Sequence, residues 1–419
     1  MKEKIKENIH NPEKLEQLYQ DNKNDFESGF KKVYNEIEQS ELLTFWKVRL
    51  DYNKVTEIIR KTTFFDILIL ILSCLLTGFL IKTPDIFTSW LTDYPYFEKN
   101  TGIIVFLGLT LYWLWSNKTI KLKKLLITAI AFLVVIIYVN LLPSVENSDT
   151  INLVYIHLPL LMWSIYGLVF IDFDFCNTNK RVDFIRYNGD LAILMALLGI
   201  TGGIMTGITI GLFDAIGINI ENFYMGNIAI VGIASLPIVA TYIIKYYPTL
   251  TNKFAPIIAT LFSPLVLLTA VAYLIALSIS GKNPFSDREF LLIFNIMLLL
   301  VMAVIVFSIS EASNSKKHKF NVFILFILSI VTAIINAIAL SAIFYRLGAY
   351  GFTPNRLAVL GSNLLIFGNL IILIIDLYKV NFKEAPIKTV ENTIAKYFPI
   401  YLAWILVVIV LFPIIFGLK

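Results

Sequence analysis

Charge is what this chain of 419 residues has least of: 16% of its residues are Asp, Glu, Lys or Arg. Soluble domains carry about 25%, so an ordinary soluble globule is excluded. Cysteine is nearly absent, with only Cys74 and Cys176, which excludes a disulfide scaffold. Histidine is as scarce: His10, His157 and His318 fall on two sides of the topology read below, so they leave no material for a histidine metal site or a catalytic triad. A phosphate-binding Walker loop, a dinucleotide-binding glycine fingerprint and a zinc-protease motif are also missing. No cofactor and no metal are expected, and no catalytic residue can be named. The N-terminus lacks the apolar stretch and cleavage site of a secretory signal.

What fills the space is apolar sequence, 57% of the chain. It comes in continuous runs of about 20 residues, long enough to cross a hydrocarbon layer of ~30 Å. Continuous rather than alternating runs select helices over a barrel. The reading is an all-α, polytopic transmembrane helical bundle of about eleven spans, near 63–81, 101–116, 122–142, 151–171, 190–213, 225–244, 254–280, 290–310, 320–345, 354–378 and 397–417. Two domains follow: a cytoplasmic amphipathic helical cap over 1–62 and the transmembrane domain over 63–419.

Orientation comes from the basic residues. With the N-terminus in the cytoplasm, 28 of the 35 Lys and Arg fall in cytoplasmic segments and seven outside. An odd number of spans then leaves the C-terminus extracytoplasmic. Cys74 and Cys176 do not share a compartment on this topology, so no disulfide is expected. The net charge of +5 is an orientation signal; no basic stripe with a recognition motif points to nucleic acid. The partner is the lipid bilayer.

The cap carries three apolar stripes at helical spacing: Leu15, Leu18 and Tyr19; Phe26, Phe30, Val33, Tyr34 and Ile37; and Leu43, Trp46 and Leu50. It is expected to rest on the cytoplasmic face or on anionic headgroups, or to dock a cytoplasmic protein partner.

Within the spans, Gly199, Gly203, Gly207 and Gly211 recur every four residues, a small-residue ridge that predicts close helix packing within the chain or at a dimer seam. Asn295, Asn336, Asn363 and Asn369 make a candidate intramembrane polar site, with Ser329 and Thr332 on the face of Asn336. Asp66, Glu311 and Asp376 lie near cytoplasmic ends, and no carboxylate is expected at mid-depth. Asp172 and Asp174 in one loop fit an interfacial segment; a divalent metal for nucleotide-sugar chemistry is the alternative.

At the outer mouth, Ser286 and Glu289 form a capping box. Asp287, Arg288, Glu289, Arg346 and Arg356 are the candidate anion or salt-bridge site. Thr353 caps a helix with Pro354 at its first position. Arg356 then stands in the first turn, where the helix dipole disfavours a cation. It calls for an anion: Asp287, Glu289, Asp214 or Glu221, an anionic ligand, or a lipid headgroup. Snorkelling to water is the remaining reading.

The runs "PFSDREFLLIFNIMLLLVMAVIVFSISE", "INAIALSAIFYRLGAYGFTPNRLAVLGSNLLIF" and "YFPIYLAWILVVIVLFPIIFG" resemble the bacterial membrane family catalogued as domain of unknown function 4153. The resemblance covers residues 60–419, is densest after 280, and extends more weakly to "NPEKLEQLY" and "FWKVRL" in the cap. It implies a multi-span protein of the bacterial inner membrane and no particular activity. From the residues themselves, the expectation is a transporter-like protein for a small or anionic solute. The alternatives are an integral-membrane enzyme acting on lipid-linked or outer-leaflet substrates, and a membrane scaffold or regulatory protein.

Overall fold

The computed structural model describes residues 1–9, 11–21, 26, 29–30, 33–34, 41–56, 63–87, 94–117, 121–145, 148–215, 218–279, 285, 288–312 and 319–418. Among them there is no strand. The chain divides into two compact units, Met1–Thr62 and Thr63–Lys419.

The first unit contains α1 (Lys2–Glu7), α2 (Pro12–Asp21) and α3 (Glu41–Thr56). Its three stripes turn inward on one core of Ile5, Leu15, Tyr19, Phe26, Phe30, Val33, Leu43, Trp46 and Leu50; Ile37 lies outside the described residues. Trp46 is at the centre, edge-on to Tyr19 and tilted against Phe26. Arg49 lies over the Trp46 ring and pairs with Glu16 at 2.7 Å. These apolar stripes are thus occupied within the segment itself.

The second unit is a helical bundle: α4 (Phe64–Ile81), α5 (Tyr96–Ser116), α6 (Leu122–Leu141), α7 (Asp149–Phe170), α8 (Thr178–Ala215), α9 (Glu221–Tyr246), α10 (Pro248–Ile279), α11 (Arg288–Ala312), α12 (Lys319–Tyr350), α13 (Pro354–Phe382) and α14 (Lys388–Ile415). Among the described residues ten helices are long and apolar enough to cross a membrane. The remaining one, α5, has the length but not the apolarity: Glu98, Lys99 and Asn100 occupy its first turns. It tolerates them because it lies between α4, α7 and α9, and buried Lys99 donates to the Leu142 carbonyl at 2.7 Å.

Hydrogen bonds between helix ends sort those ends into two rims. On one, Lys245 reaches Ser116 O, Lys124 pairs with Asp172, Arg181 reaches Ala395 O and Arg186 reaches Ser310 O. This is the basic rim. On the opposite rim, Lys82 reaches Gly226 O, Tyr94 bonds Asn140 and Ser148 reaches Leu418 O. Helix α5 spans the same two rims, with Ser116 at the basic one and Lys99, bonded to the Leu142 carbonyl, at the other.

Helix α8 begins at Thr178 rather than near 190, because the Asn177 side chain accepts from Lys180 N. The connection from α7 is consequently short, and Asp172 and Phe173 adopt left-handed φ of 59° and 58° there. Asp183 and Arg186, expected in a loop, are helical. The far half of α8 bears on one of the two expectations for the glycine ridge, packing within the chain. A Cβ on Gly203, Gly207 or Gly211 would meet nothing within 4 Å, and one on Gly199 only Leu236 at 4.0 Å. The ridge packs against no neighbour in the chain, because that half of α8 faces outward from the bundle. Close packing is instead made by single glycines: a Cβ on Gly361 would overlap the Trp404 ring, on Gly189 the Phe307 ring and on Gly108 the Thr77 hydroxyl. Gly361→Ala is expected to destabilise the bundle by about 1–3 kcal/mol and Gly207→Ala to leave monomer stability unchanged or slightly raised. Thermal unfolding of the two variants in one detergent checks the contrast.

Candidate functional site

Helices α11 to α14 hold the buried amides. Asn363 on α13 donates through Nδ2 to Asn295 Oδ1 on α11 at 2.7 Å and to its own Val359 carbonyl at 3.0 Å. Asn336 on α12, fully buried, donates to the Asn363 carbonyl at 3.1 Å. Three helices are thus tied by three asparagines, while Asn336 Oδ1 has no partner. Asn369, six residues further along α13, donates to Tyr401 Oη on α14 at 2.9 Å, and its Oδ1 too is unpartnered. Seven residues on, Asp376 binds Lys379 at 2.8 Å and accepts from Thr393 at 2.6 Å.

At ~100° per residue, Arg356 and Asn363 share one face of α13, and Asn369 and Asp376 share another, displaced by about 120°. The polar groups therefore form two half-tracks, the first toward α11 and α12 from the opposite rim, the second toward α14 from the basic rim. They pass each other where Trp404 donates to Ser362 at 3.1 Å and Tyr397 to the Leu365 carbonyl at 2.9 Å. Ser329 and Thr332 belong to neither track: their hydroxyls bond the Leu325 and Leu328 carbonyls of their own helix.

Arg356 finds carbonyls where an anion was expected. Gly351, with φ +76°, ends α12 in a left-handed turn, and Arg356 Nη1 donates to the Tyr350 and Gly351 carbonyls at 2.7 Å each. Thr353 caps α13 by accepting from Arg356 N. The guanidinium that opposes its own helix dipole thereby serves the negative end of the preceding helix. No described carboxylate pairs with it. Arg346 and Arg356 lie 5.9 and 5.5 Å from the centroid of the same Tyr350 ring, and Arg346 Nη1 is shielded without a partner. Asp287 and the side chains of Arg288 and Glu289 lie outside the described residues.

On the basic rim Asp172 pairs with Lys124 and Asp174 with Lys180, which donates to its carboxyl and holds it below the usual carboxylate range. Among the described residues no group of His, Cys, Asp and Glu is placed to hold a metal ion. A shallow, open depression there is lined by Asp174, Cys176, Asn177, Thr178, Asn179, Lys388 and Asn392. Close by in the chain is a network that sequence reading missed: Arg186 of α8 donates to Glu391 of α14 at 2.8 Å and to the Ser310 carbonyl of α11 at 2.7 Å. Arg186 and Asp190 at i, i+4 were the available signal, hidden because the segment reads as loop.

No family model, no curated protein and no solved structure matches the chain. Asn363→Leu strands the Asn295 oxygen in apolar surroundings and is expected to cost about 1–3 kcal/mol. Ser329→Ala, which removes only a bond within one helix, should cost less than about 1 kcal/mol. Unfolding midpoints of the two variants against the native chain test the difference.

Proposed function

We propose that this multi-pass membrane protein carries a small polar or anionic solute across the bilayer. The observation that supports the reading is the pair of half-tracks on α13. Polar side chains run inward from each rim, yet the two tracks lie on different faces of the helix and do not join. Buried amides are costly in a bilayer and are kept where they bind something or lock helices together. Asn336 Oδ1 and Asn369 Oδ1 are acceptors left over after the helix-to-helix bonds are made, so locking alone does not use them. The offset of the tracks fits passage without a continuous aqueous pore. Arg346 and Arg356 beside Tyr350 give one mouth a cationic character suited to an anionic solute or a lipid headgroup.

The test is to seek a retained small molecule by native mass spectrometry of the purified chain, and to locate it by density. A solute at the depth of Asn336 or Asn369, lost in Asn336→Leu or Asn369→Leu, supports carriage. A headgroup held only at the Arg356 mouth favours an enzyme acting on outer-leaflet lipid. A dry, unoccupied bundle together with proteoliposomes no more permeable than empty ones overturns both.

We further propose that the basic rim faces the cytoplasm of a bacterial inner membrane; counted along the sequence, 28 of the 35 Lys and Arg then fall in cytoplasmic segments, as the family resemblance also implies. Cys176 is exposed on this rim and Cys74 is half-buried within α4. A membrane-impermeant maleimide added to intact cells is expected to leave Cys176 unlabelled and to modify it after permeabilisation; labelling in intact cells would reverse the orientation.

A further inference from the structure

Of the three histidines, His157 alone lies within a described span, and it lies deep. It is nine residues beyond Ser148, which caps α7 and bonds the Leu418 carbonyl at the opposite rim. That places it about 13 Å along the helix axis, with about 20 Å of α7 still to run before Phe170. Leu153, one turn nearer that rim, shares a packed cluster with Ala358 of α13 and with Val408 and Phe412 of α14. One turn further in, His157 stands level with Ser362 and Asn363, where the two half-tracks on α13 pass each other. An ionisable side chain near the middle of a bilayer is rare and marks a site by default.

The bonding of the ring is fixed by its partner. Nδ1 is 2.8 Å from the Leu153 carbonyl, one turn back. A carbonyl only accepts, so Nδ1 carries the proton, and in the neutral ring Nε2 is left as a bare acceptor. Among the described residues no donor reaches it. The helices packed against α7 are α5, α6, α8, α13 and α14, and each is described through its whole span. Lipid supplies no donor at this depth, and a half-buried imidazole cannot reach the headgroups from about 13 Å. A second acceptor stands at the same level on α12. Asn336 donates its Nδ2 to the Asn363 carbonyl at 3.1 Å; a carbonyl partner again fixes which atom is the nitrogen, and Oδ1 is left shielded and unmatched. Among the described residues, the shielded atoms without a partner are oxygens, except for Arg346 Nη1 at the mouth.

The middle of the bundle therefore offers lone pairs. An anion brings lone pairs of its own and meets no leftover shielded donor there. A cation brings donors, but Arg346 and Arg356 stand at one mouth and the lysines and arginines of the basic rim at the other. An uncharged molecule with N–H or O–H groups meets neither obstacle. We propose that His157 Nε2 and Asn336 Oδ1 are binding groups for an uncharged solute that carries hydroxyl or amide hydrogens. The inference rests on the carriage reading and narrows its solute from polar or anionic to an uncharged donor, which leaves the arginine mouth to lipid headgroups.

Nitrogen NMR of the full chain, isotopically labelled at histidine and held in lipid nanodiscs, reads the site directly. His10→Gln together with His318→Gln leaves His157 as the single histidine. At neutral pH the ring is expected to carry its proton on Nδ1 with Nε2 bare. The Nε2 resonance is expected to move to lower frequency, saturably, with glycerol, glucose or urea, and not with acetate or methylammonium at equal concentration. Asn336→Leu is expected to raise the concentration needed for half the shift several-fold; Asn336→Ser takes its place if the leucine variant does not fold. A proton on Nε2 overturns the proposal. So does a response to acetate or methylammonium in place of the neutral probes, a response to none of them, or a half-shift that the Asn336 variant leaves unchanged. Flux of the same probes into proteoliposomes separates this site from carriage. A saturable shift without flux keeps the site and removes carriage; acetate flux with an unmoved His157 signal keeps carriage and overturns the site.

Discussion

Water is absent from the hydrocarbon layer, so a buried N–H, amide or hydroxyl in this bundle is costly unless the chain itself satisfies it. The cheapest solution is local. Ser73, Thr77, Ser329 and Thr332 return their hydroxyls to the carbonyl four residues back and ask nothing of neighbouring helices. Asparagine and arginine have more donors than one helix can absorb, and they determine which helices meet. Asn363 binds α11 through Asn295 while Asn336 of α12 binds its carbonyl. Arg186 draws α8, α11 and α14 together through two partners on different helices.

The two rims use the same two devices in different measure. The basic rim has ion pairs, Lys124 with Asp172, Lys180 with Asp174 and Arg186 with Glu391, beside cations that donate to carbonyls, Lys245, Arg181 and Arg186. On the opposite rim Lys82, Lys99 and Arg356 donate to carbonyls, and Lys82 also pairs with Asp85. A carbonyl at a helix C-terminus is a half-charge that lacks an intrahelical donor. One guanidinium can neutralise two such groups without a carboxylate having to be desolvated beside it.

This difference explains what could be read from the sequence. Apolar runs locate helices because length and lipid leave little choice, and Thr353-Pro354 marks a start because capping is local chemistry. The partner of Arg356 was not legible, since main-chain carbonyls carry no residue code; only the left-handed turn at Gly351 brings them within reach. The Arg186–Glu391 pair spans 205 residues, and no spacing rule reaches that far. Arg186 was overlooked because a charged stretch was taken for loop, whereas its bonds to α11 and α14 let that stretch remain helical. The glycine ridge meets a different limit. Its period is a property of one helix, but whether a ridge meets a neighbour depends on how α8 is turned, and that is fixed by Arg186 and Gly189 at its other half.

The same reasoning separates locking from function within the amide set. An asparagine that only joins helices should exhaust its hydrogen-bonding capacity on them, since each leftover polar atom is a cost in apolar surroundings. Asn363 comes close to this: its Nδ2 makes two bonds and its main-chain carbonyl accepts another. Asn336 and Asn369 each bind a neighbour with the nitrogen and leave the oxygen unmatched. Beside Asn369, α14 brings Trp404 and Tyr397 against α13 at Gly361 and Gly368. Replacing the glycines would push those rings away; replacing the asparagines would remove acceptors the fold itself does not use. The glycines therefore belong to the architecture. Asn336 and Asn369 are the residues on which a bound solute would depend.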